Sequence, residues 1–313
     1  MRKQIGELIE KYDVIIIHHH INPDCDCIGA QLGLKYMIQA SFPNKEVYAV
    51  GSHNERTKFL GKLDTIDNDK YQNALVIIVD VGDLERVDDQ RILLGKELIK
   101  IDHHPKTTTL GNIEWIDTTF SSCCEMIIDL YLNNKDKLTM TNEAARVLYA
   151  GILTDTGRYY YSAVLPKTFE YGAEVYKYDF DKQALYADIY YQTLDELRFK
   201  GYIYNNFQYT DNGLGYLKIT QETYDAIPIT PEYAALSVNT LSDIKEIKMW
   251  IFFVLYPDTN KIRVEFRSRD IAVNELAKKY GGGGHALASG ALVDSWDVVN
   301  RIIADADLLC KVN

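Results

Sequence analysis

Three apolar runs that each stop on an acid or an imidazole constrain this chain more than anything else in it. They are IIIHHH (15–20), VIIVD (76–80) and LIKIDHH (98–104). They alternate with amphipathic or polar segments, a rhythm that predicts βαβ units and a parallel sheet covered on both faces. In an open parallel sheet, ligands gather at the carboxyl ends of the strands, near the point where strand order reverses. A single Asp at a strand end is ordinarily a turn or cap residue, and a single His beside a strand is ordinarily a hydrogen-bonded structural one. Three coincidences of the same kind argue for a site.

Six side chains make up that candidate site. His20, Asp24 and Asp26 lie in HINPDCD (20–26), and Asp80 ends ALVIIVD (74–80). His103 stands in IDHHP (101–105), and Asp155 in GILTDTG (151–157). Four carboxylates and two imidazoles are the wrong inventory for structural zinc, which favours thiolates and four ligands in all. They suit two hard or borderline divalent cations, Mn²⁺ first and Mg²⁺ next. Two such ions about 3.5–4 Å apart clamp an in-line displacement at phosphorus, so the predicted chemistry is hydrolysis of phosphate esters. DCDCIGAQ (24–31) begins like a calcium loop, but Ile28 and Lys35 stand where an EF-hand needs an oxygen ligand and a bidentate Glu. Its glycine, Gly29, is placed instead in a helix over 28–41 that packs closely on the preceding strand.

The pattern H-x-x-P-D-x-D-x-x-G at 20–29, the isolated Asp80, the triplet DHH at 102–104 and T-D-T-G at 154–157 resemble the motifs of the DHH phosphoesterase superfamily. FRSRDIAVNELAKKYGGGGHALASGA (266–291) resembles the DHH-associated C-terminal domain. The chain as a whole is similar to the family of bifunctional oligoribonucleases (nanoRNases) that also remove the 3′-phosphate from adenosine 3′,5′-bisphosphate (pAp). The resemblance implies one cation on His20, Asp24 and Asp80, a second on Asp26, Asp80, His103 and Asp155, and Asp80 bridging the two. Between them a shared water with a depressed pKa serves as nucleophile. Asp102 is expected to orient His103. His104 is expected to bind the scissile phosphate and help the leaving oxygen, against the alternative of a supporting histidine; His18 reads as supporting. Arg86 and Arg158 are either phosphate ligands through charge-assisted hydrogen bonds or surface ion-pair residues. In the C-terminal signature, Arg267 and Arg269 offer a planar fork that Lys cannot reproduce. Gly282, Gly283 and Gly284 let backbone N–H groups approach an anion beside His285. Cys25 and Cys27 stand where the family carries small residues. They are either simply small, or thiols able to capture zinc and to be oxidised. Cys123 and Cys124 lie in SSCCE, where Ser122 and Glu125 have capping-box spacing, and read as structural.

A chain of 313 residues suggests two domains, each large enough for its own core. The expected fold is α/β. A parallel-sheet catalytic domain (1–180) is joined by a helical connector (181–208) to a smaller α/β substrate-binding domain (209–313), with an active-site cleft between them. Strands are expected at 13–18, 46–50, 74–80 and 97–102, then near 214–220, 249–256 and 261–268. Helices are expected at 122–134 and 142–153, through 168–208, and near 271–280 and 295–308. The net charge of −11 disfavours long nucleic acid. Two divalent ions would reverse the sign locally, so the expected partners are short RNA oligonucleotides and small nucleotides as substrates. No apolar run approaches the roughly 20 residues of a membrane helix, and MRKQIGELIEKYD reads as an amphipathic helix and not a signal peptide. No membrane partner and a cytoplasmic location are expected, with a homodimer as the candidate assembly. The five cysteines are odd in number and read as no disulfide framework.

A phosphodiesterase of linear dinucleotides (pApA or pGpG) would share every motif. A DHH inorganic pyrophosphatase would lack GGGGH, and an exonuclease of long single-stranded DNA would carry a further binding domain. A non-catalytic nucleotide sensor would have lost metal ligands, and all six are present.

Overall fold

The apolar runs become the central strands of a five-stranded, all-parallel sheet. The structure is a computed structural model describing residues 1–312, and it divides into two units, Met1–Tyr191 and a second beginning at Gln192. The first unit opens with α1 (Arg2–Lys11), β1 (Val14–His18), α2 (Cys25–Ser41) and β2 (Glu46–Ala49). It continues through β3 (Leu75–Val79), β4 (Glu97–Asp102), β5 (Ile113–Ile116), α3 (Cys123–Leu132), α4 (Asn142–Asp155), α5 (Pro166–Tyr176) and α6 (Lys182–Tyr190). Strand order is β2-β1-β3-β4-β5, so the order reverses between β1 and β3. His20 and Asp80 lie just beyond the carboxyl ends of those two strands.

Alternation within the runs sorts the core onto two faces. Ile15, Ile17, Leu75, Ile77, Ile99 and Ile101 face one way and pack with residues of α1 through α5. Ile16, Val76, Ile78 and Leu98 face the other way. Each such buried side chain contributes about 1.5–3 kcal/mol. The second face departs from the βαβ expectation, because among the described residues no α-helix separates β2 from β3 or β3 from β4. Tyr71 and Ile92, from the 3-10 turns Asn68–Tyr71 and Gln90–Leu94, cover it together with Val50 and Val87. The helix after the first motif also begins earlier than expected, at Cys25, capped by Asp24. Gly29 faces α4 and not the preceding strand, since a Cβ there would lie 2.5 Å from the Val147 carbonyl oxygen.

The second unit comprises α7 (Leu194–Asn206), β6 (Gln208–Tyr209), β7 (Leu214–Ile219), α8 (Gln221–Ala226), α9 (Pro231–Leu236), β8 (Met249–Tyr256) and β9 (Lys261–Ser268). It closes with α10 (Asn274–Lys279), β10 (Gly283–His285), β11 (Ala288–Val293) and α11 (Trp296–Val312). Its sheet runs β10-β11-β9-β8-β7-β6, with only β7 and β8 parallel. MWIFFVLY is apolar without alternation because both faces of β8 are buried. Ile251 and Phe253 pack with α11, whereas Trp250 and Phe252 pack with α7 and α9. The helical stretch expected over 168–208 is shared between the units, α5 and α6 in the first and α7 in the second. No helix of the described residues is long and apolar enough to cross a membrane.

Candidate metal centre

Backbone geometry delivers each of the six side chains to one place. Asp80 follows β3 with φ at +57°, a left-handed conformation that Asp tolerates better than most residues. Its amide still donates to the Ile101 carbonyl at 2.9 Å, as a continuation of the ladder with β4. The turn sends its carboxylate inward, Oδ2 3.5 Å from His20 Nε2 and Oδ1 3.3 Å from His103 Nε2. One carboxylate therefore spans both imidazoles. Each ring is pinned through its other nitrogen: His20 Nδ1 is 2.8 Å from the Ile21 carbonyl and His103 Nδ1 is 3.3 Å from that of Phe120. That arrangement leaves Nε2 free for a cation.

Helix ends supply the remaining acids. Asp24 caps α2, its Oδ1 accepting from the Asp26 and Cys27 amides at 3.0 Å, with Oδ2 3.6 Å from His20 Nε2. Asp26 accepts from the amides of Cys123 at 2.6 Å and Cys124 at 2.9 Å, buried first-turn donors of α3 that have no intrahelical acceptor. SSCCE does cap its own helix through Ser122. It also fastens a site residue nearly a hundred positions away. Asp155 ends α4, with Oδ2 3.5 Å from His103 Nε2. A Cβ on Gly151, one turn earlier, would lie 2.2 Å from Cys124 Sγ and 2.9 Å from Asp26 Oδ1.

Asp102 serves a different ring from the one its adjacency to His103 suggested. Its Oδ1 accepts from the His104 amide at 3.1 Å and meets His104 Nδ1 at 2.9 Å, so it orients His104, while the Phe120 carbonyl orients His103. Behind it lies a residue that the sequence did not flag. Lys100 is fully buried, 3.2 Å from Asp102 Oδ2, and donates to the Gly82 carbonyl at 2.7 Å. His18 and His19 are also fully buried and belong to the scaffold. His18 meets the Asp89 carbonyl and the Tyr71 hydroxyl, and His19 Nδ1 meets the His20 carbonyl.

The crowding shows in proton affinities. Burial, then the Asp80 charge, pushes Asp26 up to about 7. Burial and the charges of Asp26 and Asp80 push Asp155 well up. Asp80 is held well below the carboxylate range despite its burial, by the surrounding imidazoles of His103, His104 and His20. Burial lowers His103, but the hydrogen bond and charge of Asp80 outweigh it and raise the ring to about 10. Asp102, then Asp80, raises His104 to about 9. This is a cluster short of positive charge. Asp80 Oδ1 is buried with no well-aligned donor, although the His103 and His104 nitrogens each come within 3.3 Å.

The donor spacing fits cations. Ligand atoms of His20, Asp24, Cys27 and Asp80 lie within 4.8 Å of one another, as do those of Asp26, His103 and Asp155, and those of Asp80, His103 and His104. Donors on opposite sides of an ion with bonds near 2.1 Å stand roughly 4 Å apart. His20, Asp24 and Asp80 would hold one ion and Asp26, Asp80, His103 and Asp155 the other.

The substrate-binding candidates are more dispersed. Arg86 is exposed, and its carbonyl accepts from the Ile21 amide at 2.7 Å. Arg158 is exposed, three residues after Asp155, with its guanidinium over the Tyr190 ring at 4.8 Å. In the second unit, register aligns His285 with Ala288 and Ala288 with Arg267, so the three share a face of the sheet. Arg267 is 3.2 Å from Glu265 Oε2 and donates to the Phe266 carbonyl at 2.8 Å. Arg269 is occupied differently, donating to the carbonyls of Ser242, Ile244 and Lys245 at 2.9, 2.6 and 3.2 Å. GGGGH forms a hairpin with β11. A Cβ on Gly282 would lie 2.1 Å from the Gly290 carbonyl oxygen, Gly284 has φ at +139°, and the Cβ side of Gly283 is open.

Residues 14–152 match the DHH family, N-terminal domain, and residues 228–311 match the DHHA1 domain. The chain is 40% identical over 312 residues to the bifunctional oligoribonuclease and PAP phosphatase NrnA of Bacillus subtilis, covering 99% of each chain. It is 40% identical over 289 residues to the probable bifunctional oligoribonuclease and PAP phosphatase NrnA of Streptococcus mutans, covering 92% of each. Among solved structures, an exopolyphosphatase-related protein from Bacteroides fragilis superposes with a TM-score of 0.87 at 23% identity, over 99% of this chain and 97% of that one. At that identity the likeness is one of fold. With both domains matched and identity sustained from end to end, the chain belongs to the DHH phosphoesterases, in the NrnA family of bifunctional oligoribonucleases and PAP phosphatases.

Proposed function

We propose that this chain hydrolyses short oligoribonucleotides to 5′-nucleoside monophosphates and removes the 3′-phosphate of pAp at the same centre. The observation that carries the reading is Asp80, a single buried carboxylate shared between His20 and His103 and between two donor sets. The names of the relatives support both substrates. When bound, two divalent cations, Mn²⁺ before Mg²⁺, supply Lewis acidity toward the phosphoryl oxygens and lower the pKa of water.

The chain's own groups do the rest. His104 is partly exposed, and Asp102 and Asp80 keep its ring protonated near neutral pH. With Nδ1 on Asp102, it presents Nε2–H to a phosphate oxygen and can pass that proton to the leaving oxygen. Lys100 neutralises Asp102 from behind, so Asp102 keeps its place as the anchor of that ring. In the second unit we assign Arg267 and His285 to substrate anions, with the open side of Gly283 beside them. Arg86 and Arg158 are the further phosphate candidates of the first unit. The site of action we propose is the cytoplasm.

The test is a Mn²⁺-dependent assay of the purified protein against pAp, di- to pentaribonucleotides, pApA, pGpG and pyrophosphate. Turnover of pAp and of the short ribonucleotides is expected. Turnover of pApA or pGpG alone would replace this reading with a dinucleotide phosphodiesterase, and no turnover of any would leave a sensor.

A further inference from the structure

Cys27 is the one donor in the cluster that the two-cation scheme leaves without a task. It is the third residue of α2 and is fully buried, and its amide donates to Asp24 Oδ1 at 3.0 Å. Its sulfur lies in the same donor set as His20, Asp24 and Asp80, all within 4.8 Å of one another. Cys25, two residues away, belongs to no such set among the described residues, because neighbours two apart on a helix point about 200° apart. Asp80 turns Oδ2 toward His20 in this set, while its poorly satisfied Oδ1 faces His103 and His104.

We propose that Cys27 is a fourth protein ligand of the His20–Asp24–Asp80 cation site, giving that site a nitrogen, oxygen and sulfur donor set that selects zinc over manganese and magnesium. The proposal rests on reading the cluster as a metal centre. Carboxylate and imidazole donors alone discriminate weakly, whereas a thiolate favours a softer ion. Zinc bonds near 2.0 Å to nitrogen and 2.3 Å to sulfur place donors about 4 Å apart, within the spacing seen here. On coordination the thiol gives its proton to solvent and the sulfur pair goes to the metal. Four protein ligands also close a tetrahedral site, which leaves no open position for a substrate oxygen. Zinc seated there therefore inhibits turnover supported by manganese.

Cobalt(II) reports the donor directly, because a bound thiolate produces a near-ultraviolet charge-transfer band that carboxylates and imidazoles do not. Titrating the chelated full-length protein with Co²⁺ should give that band, together with visible ligand-field bands. Cys27→Ala and the near-isosteric Cys27→Ser should lose the charge-transfer band, keep the visible bands, and bind Zn²⁺ about tenfold or more weakly in competition with a chromogenic chelator. Cys25→Ala should keep the charge-transfer band. Visible bands without charge transfer in the wild type, or a band that survives in a folded Cys27 variant, overturn the proposal and leave the metal centre standing. A wild-type protein that binds no cobalt at all overturns both.

Discussion

The carboxyl edge of the first unit's sheet and the glycine hairpin of the second both gather functional groups, and they hold them in opposite ways. At the first edge the groups, apart from the exposed Asp24, are buried or half-buried and fastened by backbone. Asp26 sits on two amides of α3, Asp24 on two of α2, and both imidazoles on carbonyls. At the second, His285 is exposed and Gly283 is open on its Cβ side, while half-buried Arg267 donates to the Phe266 carbonyl and stands beside Glu265. Crowding acids out of water is expensive, so their positions must be over-determined by donors that cannot move away. Cations offered to a substrate anion gain by staying near solvent, where they reorganise cheaply around ligands of different length.

The largest effects should come from the buried edge. Asp80→Ala or His103→Ala should abolish turnover and weaken Mn²⁺ binding, a loss well beyond the roughly 10–100-fold typical of residues that merely orient a ligand. Retention of about a tenth of the wild-type rate in either variant would break the contrast at its firmer side. Next comes the pair beneath it. Lys100→Met leaves Asp102 buried without its countercharge, and urea denaturation should register a loss of about 3 kcal/mol. A neutral result would show that His104 alone satisfies Asp102.

The exposed edge should give smaller, substrate-dependent effects. Arg267→Lys should cost about 1–3 kcal/mol in kcat/KM on nucleotide substrates, roughly a charged hydrogen bond. It should cost much less on a minimal chromogenic phosphodiester. Arg269→Ala should instead lower thermal stability with little change in KM, because its guanidinium is spent on three backbone carbonyls. If the two arginines behave alike, the second unit's division of labour is wrong.

The gentlest test is pH. Asp26 holds its proton up to about 7 instead of 3.8, and His104 and His103 hold theirs to about 9 and 10 instead of 6.5. Groups raised on folding contribute stability that is complete below their unfolded values and is lost as pH rises through the folded ones. The Tm of chelated protein should therefore fall between roughly pH 6 and pH 9, while the increment added by Mn²⁺ grows, since cation and protons compete. A Tm that rises over that interval would mean that other groups outweigh the cluster.

Much of the first edge was legible because strand alternation and short motifs are local signals. VIIVD and LIKIDHH announce both the strand and what stands at its end. Lys100 was illegible for the opposite reason, since within LIKID it looks like the polar member of an alternating strand. Its burial depends on Asp102 and the Gly82 carbonyl, neither visible from composition. The amides of Cys123 and Cys124 carry no side-chain signature at all. Asp102 was assigned to the wrong neighbour because adjacency in sequence says nothing of which way a strand's side chains turn. In the second unit, GGGGHALASGA gave no strand signal, yet it forms a hairpin whose second strand joins the sheet by pairing with β9. The 3-10 turns on the second sheet face were hidden because the alternating pattern fits a helix as well as a compact loop.

Gly151 carries a lesson for anyone seeking a hardier variant. Alanine there would improve the intrinsic preference of α4 by about 1 kcal/mol, which makes it an obvious target for a stabilising library. Its methyl group would have to occupy the space of Cys124 Sγ and crowd Asp26 Oδ1. The helix would gain while the gauge that spaces Asp26 from Asp155 was forced open. Robustness and chemistry compete for the same hydrogen atom at this position.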